Sequence, residues 1–397
     1  MDWVSNEGTP WVKIADATGE PGRFISQTKE FIRNEGRSKS VVVVPGDLVV
    51  SNSATPGMPK FLRIEACIHD GWLLLRNFKG ALPEYLYYVV LNDRKALIGK
   101  GSGSVFTNLK TEILKSHEIF LPTILEQKRI SDALGHIDDL IALNIAKSKT
   151  IENIAQTIFK SWFIDFDPVK AKMAGEKPAG MDAATAALFP DSMLESELGL
   201  IPKGWEVRSL DEISEYLNGL AMQKFPVTDG DEQLPVIKIA QLRAGNTQGA
   251  DVASGLLDSR FIIKDGDILF SWSGTLEVET WTGGPGALNQ HLFKVSGKTV
   301  PDWYSYLSTK SFLSFFREIA SGKATTMGHI QRGHLSESKL AIPNLELLNR
   351  ATEIIEPLIS LKIKTSIESR NLAEIRDSLL PRLISGELQI PEEMLAS

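Results

Sequence analysis

Residues 119–140 read IFLPTILEQKRISDALGHIDDL, and residues 340–361 read LAIPNLELLNRATEIIEPLISL. Each leads from an apolar pair through a proline into a long amphipathic pattern. At a shift of 221 residues Pro122 falls on Pro343, Arg129 on Arg350, Ile137 on Leu358, Ile151 on Leu372, Ile154 on Ile375 and Trp162 on Leu383. A single shift that serves about forty residues marks an internal repeat. The likeness continues upstream with small changes of offset, as loops of unequal length produce. WVKIAD (11–16) matches VIKIAQ (236–241), PGDLVVSNS (45–53) matches DGDILFSWS (265–273), and LPEYLYY (82–88) matches VPDWYSY (300–306). GSGSVFTNLKTEIL (101–114) likewise faces GKATTMGHIQRGHL (322–335). The chain reads as a tandem duplication in which each unit is a globular part followed by a long helix.

Composition fits two units. At 397 residues and 43% hydrophobic content the chain can bury two ordinary cores. The one cysteine, Cys67, excludes an intramolecular disulfide and a zinc site built on paired thiolates, and suits a reducing, cytoplasmic setting. The opening MDWVSNEGTPWVKI lacks the basic-then-apolar order of a signal peptide, and no run is apolar for the roughly 18 residues a membrane helix needs. A soluble protein is expected. Net charge is -7, which by itself argues mildly against nucleic acid as a partner. Part of it is local: residues 164–200 hold Asp165, Asp167, Glu176, Asp182, Asp191, Glu195 and Glu197 against Lys170, Lys172 and Lys177.

Each globular part reads as mostly β. SVVVV (40–44), DLVVS (47–51), FLRIEACI (61–68) and DILFSW (267–272) are rich in β-branched and aromatic residues and bounded by turn formers, while PEYLYYVV and PDWYSYL predict short helices. The long helices differ in kind. In the first, Ile130, Leu134, Ile137, Ile141, Asn144, Ser148, Ile151, Ala155, Ile158 and Trp162 recur by threes and fours, the seam of a coiled coil. In the second the seam passes through Ile355, Leu358, Lys362, Thr365, Leu372, Leu379 and Leu383. Both seams turn polar near the middle, a device that fixes register. The alternative is two unrelated surface helices, each packed on its own domain; shared length and register favour the coil. Pro357 predicts a kink or a late start. The Pro- and Gly-punctuated stretch 164–200 reads as a linker with a short helix at DAATAAL, long enough to lay the second helix antiparallel to the first.

Catalytic signals are missing. No N-P-P-F-like or D-P-P-Y-like tetrapeptide with a Gly-rich cofactor loop appears, and DPVK (167–170) lacks the second proline and the aromatic. GKT (297–299) has Leu292 where a phosphate loop needs glycine, and GSGS (101–104) lacks the following Lys-Ser/Thr. Glu126-Gln127-Lys128 has the E-x-K form of a nuclease site but sits on a helix, with no acidic residue after a proline close before it. His69, His117, His136, His291, His329 and His334 show no ligand spacing.

The duplicated G-D-(L/I)-(L/V)-(V/F)-S strand (Gly46–Ser51 and Gly266–Ser271), the ALNQHLF segment (287–293), the two proline-then-helix regions and the linker beginning IFKSWFIDFDPVKAKMAGEKPAG resemble the specificity subunits of type I restriction-modification systems over essentially the whole chain. The resemblance implies an α+β architecture with two tandem, mostly-β target recognition domains, at 1–122 and 201–343, separated by two long helices forming an antiparallel coiled coil. The helices are placed at 123–163 and 344–390, with the linker at 164–200. It implies a non-catalytic subunit that reads a split sequence in double-stranded DNA and binds two methyltransferase subunits, through which restriction/translocase subunits join. S-adenosylmethionine, ATP and magnesium then belong to those partners, and this chain holds no cofactor or metal.

Loop residues after matched strands are the expected DNA contacts. In the first domain these are Lys13, Ser51, Asn52, Ser53, Lys100, Ser102, Ser104, Asn108 and Lys110. In the second they are Lys238, Gln241, Arg243, Ser271, Trp272, Ser273, Lys323, Thr325, Thr326, His329, Gln331 and Arg332. Asn, Gln and Arg can read base edges, whereas Ser, Thr and Lys more often hold phosphates. A solvated turn residue or an internal loop bond is the other reading at every position. Gln290 and His291 are weaker candidates, since ALNQHLF can be a strand whose polar residues tie down a neighbouring loop. One departure stands out: IPKGWEVRSLDEISEYLNGL opens the second unit and has no counterpart before Pro10. The family's first domain normally has such an opening, so a short first domain, exposed apolar surface and weakened first-half binding are expected. An assembly scaffold with degenerate recognition in its first half is the alternative function.

Overall fold

The computed structural model describes residues 4–20, 22–99, 108–230, 232–321 and 328–391. The chain divides into two compact units, Met1–Leu143 with Asn371–Ser397, and Asn144–Arg370.

The first unit runs through β1 (Val4–Ser5), β2 (Thr9–Val12), α1 (Ile14–Gly19), β3 (Phe24–Ile25), β4 (Glu30–Ile32), α2 (Asn34–Arg37), β5 (Val41–Val43), β6 (Leu48–Ser51), β7 (Pro59–Leu62), β8 (Ala66–Ile68) and β9 (Trp72–Leu75). Next come α3 (Pro83–Gly99), α4 (Thr111–Lys115) and the start of α5 (Ile124–Phe159). FLRIEACI, one run in the sequence, splits into β7 and β8 of separate sheets, ordered β1-β4-β2-β8-β5 and β3-β7-β6-β9.

In the second unit a π-turn (Lys160–Ile164) closes α5, and α6 (Asp167–Met173), α7 (Ala183–Ala187), β10 (Met193–Ser196) and β11 (Gly199–Pro202) follow. The stretch read as a linker is therefore folded: Val169 and Phe189 are buried in the main core of this unit, Phe189 edge-on to Trp162 at 5.3 Å. Arg350 ties it down through Asp182 at 2.8 Å. Beyond it lie β12 (Glu206–Ser209), α8 (Leu210–Ile213), β13 (Ser214–Asn218), β14 (Gln233–Ile237), α9 (Ile239–Ala244), β15 (Val252–Ser254), β16 (Ile262–Ile263), β17 (Ile268–Ser271), β18 (Val278–Thr280), β19 (Gly286–Leu288) and β20 (Leu292–Gly297). The unit closes with α10 (Asp302–Ser311), α11 (Leu313–Ser321), α12 (Arg332–Glu337), β21 (Lys339–Ile342) and α13 (Leu345–Ile384), whose last turns belong to the first unit.

Strand pairing repeats as the sequence does. The parallel pair β2–β8 (Trp11↔Cys67, Val12↔Ile68), with β5 antiparallel on β8, recurs as β14–β19 (Val236↔Ala287, Ile237↔Leu288) with β16 antiparallel on β19. Ser51 faces Trp72 between β6 and β9 as Ser271 faces Leu292 between β17 and β20. The turns into β6 and β17 repeat too. Gly46 and Gly266 take φ of 92° and 94°, where a side chain is strained, and Asp47 and Asp267 accept the amides of Val44 and Lys264 at 2.7 and 2.9 Å.

The long helices pair antiparallel within each unit. In the first, Ile130 and Leu134 share a core with Leu380, Leu383 and Ile384, and Asp138 meets Arg376 at 2.7 Å. In the second, the Ser148 hydroxyl lies 2.9 Å from that of Ser366, and Glu152 meets Lys362 at 3.2 Å. The polar middle is buried as expected, at Asn144, Ser148, Lys362 and Thr365. Ile130, Leu134, Ile151 and Ile355 are buried, while Ile141, Leu358, Leu372 and Leu379 are half-buried. Four seam positions shift by one residue: Asp138, Phe159, Ile359 and Leu380 are buried where Ile137, Ile158, Leu358 and Leu379 were expected, and those four are half-buried. Nor does α13 start late: it begins at Leu345 and runs on through Pro357, which sits on the exposed side.

Polar side chains lock both pairings. Asp138 accepts the Tyr88 hydroxyl at 2.7 Å as well as Arg376. In the second unit Glu152 accepts from Tyr306 and Lys310, and Lys362 also reaches Glu279 at 3.0 Å. Tyr88 and Tyr306 are matched positions of the repeat. Burial pushes the Glu152 carboxyl up, but Lys362, Lys310 and the Tyr306 hydroxyl outweigh it and hold the group well below the usual carboxylate range. Such a carboxylate stabilises the fold above its unfolded value of 4.5, and that contribution is lost as pH falls below it. Glu152→Gln is expected to destabilise the protein at pH 7 by about 3 kcal/mol, because buried ammonium groups lose their counter-charge. The variant should also lose stability less steeply than wild type as pH falls below 4.5. Urea unfolding at a series of pH values checks both, and a slope equal to that of wild type would count against this account.

Candidate nucleic-acid interface

The duplicated strand ends in a loop in each unit, and its last residue braces that loop. Ser51 accepts the Met58 amide at 3.0 Å and donates to Thr55 O; Ser271 accepts the Glu277 amide at 2.7 Å and donates to Thr275 O, also at 2.7 Å. Both serines are 0% exposed. They hold the loops in shape and are not presented to a ligand, which corrects their reading as contacts.

The next residues lie at the mouth of the loop. Asn52 donates its side-chain amide to Asp70 O at 2.6 Å, and its carbonyl receives the Leu109 amide at 2.8 Å. The matched Trp272 carbonyl receives the Ile330 amide at 2.9 Å. The Trp272 indole donates to Asn218 Oδ1 at 3.0 Å and Gln290 O at 3.2 Å. Its ring lies 5.7 Å from His291 and 6.4 Å from His329. Ser53 is half-buried, whereas Ser273 is buried with its hydroxyl 3.0 Å from His291 Nδ1. Gln290 and His291 do tie down the neighbouring loop, as the second reading of ALNQHLF had it. His69 and Asp70, which the sequence reading does not single out, reach the corresponding mouth in the first unit. The pairing of Ser51 with Trp72 and of Ser271 with Leu292 is the signal that sets them against Asn289 and Gln290.

Lys13, Lys238 and Gln241 have other work. Lys13 and Lys238 both precede short helices and are paired with acids, Lys13 with Glu30 at 2.6 Å and Lys238 with Asp251. Gln241 is buried; its Oε1 accepts the Lys238 amide at 3.3 Å and its Nε2 donates to Gln248 O at 3.4 Å. It closes the first turn of α9 in the way Asp16 closes that of α1, so it is a capping residue.

The outward-facing candidates are Asn108, Lys110, Arg243, Gln331 and Arg332. Arg332 lies over the Phe293 ring at 5.7 Å and donates to Tyr216 O at 3.3 Å. His329 is half-buried beside Trp272. Lys100, Ser102, Ser104, Lys323, Thr325 and Thr326 lie outside the described residues. In sum, each loop mouth offers amide and imidazole groups able to pair with base edges, flanked by cations suited to phosphates. Among the described residues no group of His, Cys, Asp or Glu could hold a metal ion, and no helix is long and apolar enough to cross a membrane.

Comparison with known proteins agrees with this duplication. The family model for the type I restriction modification DNA specificity domain matches residues 4–153 and again 202–376. The specificity subunit of the type I restriction enzyme HindI from Haemophilus influenzae is 25% identical, over 89% of this chain and 88% of that protein. That of MjaIX from Methanocaldococcus jannaschii is also 25% identical, over 96% of this chain and 87% of that protein. Among solved structures, the type I restriction-modification S subunit from M. genitalium aligns with a TM-score of 0.45 and 14% identity, over 96% of this chain and 93% of that one. With the family model covering both repeats, the chain belongs to the type I restriction-modification DNA specificity family.

Proposed function

We propose that this chain is the DNA sequence-recognition subunit of a type I restriction-modification complex, and that it reads a bipartite target while positioning two methyltransferase subunits and the restriction/translocase subunits. The observation that carries the reading is the duplication. The family model matches twice, and each match holds the same strand pairing and leads into a long helix. Two related but unlike loop mouths suit two unlike half-sites. The helices, of 36 and 40 residues, measure roughly 54–60 Å at 1.5 Å per residue, against about 34 Å for one turn of DNA. Methyl transfer and translocation are assigned to the partners, with S-adenosylmethionine, ATP and magnesium. A net charge of -7 fits a reader whose partners share the contacts to phosphate.

Within the mouths, Arg332, Gln331 and Asn108 are assigned to base edges, Lys110 and Arg243 to phosphates, and Trp272 with His329 to the groove wall. Co-expression with the cognate methyltransferase subunit, followed by single-molecule mapping of N6-methyladenine in host DNA, is expected to show two short specific blocks around a fixed gap. A stable complex without methylation would instead favour the assembly scaffold. In DNA-binding titrations of that complex, Lys110→Ala and Arg243→Ala should each flatten the salt dependence by about one phosphate contact. Ser271→Ala should leave that slope unchanged and lower stability by about 1–2 kcal/mol, since it frees the Glu277 amide. Equal slopes for all three variants would remove the assignment.

A further inference from the structure

The turn between β8 and β9 recurs between β19 and β20, with the same bonds on different letters. It is His69–Trp72 in the first unit and Asn289–Leu292 in the second, and in each the last residue donates its amide to the carbonyl of the first, at 3.2 and 3.0 Å. One residue braces each turn from the side. Asn52 donates its backbone amide to Gly71 O at 2.8 Å and its side-chain amide to Asp70 O at 2.6 Å. The matched Trp272 donates its backbone amide to His291 O at 3.4 Å and its indole N–H to Gln290 O at 3.2 Å. Asp70 and Gln290 therefore hold the same apex, with the backbone carbonyl tied down and the side chain left to vary.

The two apexes differ in what they present. Gln290 Nε2 lies 3.4 Å from His291 Nε2, so this amide is engaged by its neighbour. Asp70 is fully exposed, and among the described residues its side chain meets no lysine or arginine. Its carboxylate lies 3.4 Å from His69 Nδ1, a nitrogen that already accepts the Gly71 amide at 2.8 Å. The turn beneath it is tightly built, since a Cβ at Gly71 would come within 2.1 Å of the His69 ring. Asn52 also receives the Leu109 amide at 2.8 Å, so the outward-facing Asn108 and Lys110 flank a residue held on the same brace.

We infer that Asp70 is a specificity-determining residue of the first reader and accepts a hydrogen bond from the N4 amino group of a cytosine. The inference rests on the DNA-reading assignment made above. A carboxylate offers only acceptors and is repelled by phosphate, so at a DNA interface it is stable only against an amino group. Base edges present three such groups, cytosine N4 and adenine N6 in the major groove and guanine N2 in the minor groove. Adenine N6 stands beside N7, an acceptor that repels the carboxylate, whereas cytosine N4 stands beside a C–H. Guanine N2 lies in a groove about 6 Å wide, walled by phosphates on both sides.

The test uses the whole complex with the cognate methyltransferase subunit, as wild type and as Asp70→Ala. Mapped N6-methyladenine is expected to keep the wild-type motif except at one cytosine of one block, where Asp70→Ala admits any base. In titrations with duplexes carrying the motif, wild type should prefer that cytosine over thymine by at least about tenfold, and Asp70→Ala should bind the two within about twofold. Replacing the paired guanine by inosine, which removes only the minor-groove amino group, should leave binding unchanged. Asp70→Ala should not flatten the salt dependence, in contrast to Lys110→Ala. An unchanged motif and preference in Asp70→Ala, relaxation at a pair without cytosine, or a preference lost on inosine substitution overturns the inference alone. A wild-type complex that methylates no split motif removes the DNA-reading assignment and this inference with it.

Discussion

Two buried ionic locks fix the register in which α5 pairs antiparallel with α13. The seam is weak where it matters: Asn144, Ser148, Lys362 and Thr365 occupy its middle, and such positions fix register at a cost in stability. Register is held instead by charge and hydrogen bonding, with Asp138 between Tyr88 and Arg376 in the first unit and Glu152 among Tyr306, Lys310 and Lys362 in the second. A slip of one turn would leave several buried charges unpaired, which costs far more than a displaced leucine. Each lock also includes a tyrosine from the globular part, so the helices and the strands beside them are placed by the same side chains.

Much of this architecture was legible because the repeat is nearly rigid. One shift carries Pro122 to Pro343 and Arg129 to Arg350, and the strand-leading G-D pair recurs with its turn, so two units, their main strands and the long helices follow from the letters. Where apolar periodicity was the only guide, the reading slipped. Asp138 replaces Ile137 in the seam because Arg376 and Tyr88 supply the partners that make a buried acid tolerable, and those partners are distant in sequence. The acidic, glycine-rich stretch after Trp162 looked like a tether. Its order rests on Val169, Phe189 and the Asp182–Arg350 pair, contacts that only the folded chain assembles.

For the candidate interface the sequence supplied loops and residue types, not which side chains those loops present. Among the candidates in loops after matched strands, Arg243, Lys110 and Arg332 face outward. Ser51, Ser271 and Gln241 show why residue type alone misleads. A hydroxyl or amide that ties a turn to itself has the same letter as one that faces a ligand, and the difference lies in backbone amides such as those of Met58, Glu277 and Lys238.

The locks also give the duplicated helices a polarity. Both acids, Asp138 and Glu152, stand on α5, and both cations, Arg376 and Lys362, stand on α13. If two copies of α5 packed against each other in the register of the repeat, Asp138 would face Ala155 and Glu152 would face Ile141, so neither acid would meet a cation on the facing helix. The two halves, alike in fold, have therefore ceased to be interchangeable. A chain made by doubling the first half would carry the same strands and the same long helix, yet its facing helices would offer no cation to either acid, and so the order in which the two units follow one another is written into the charges of the helices.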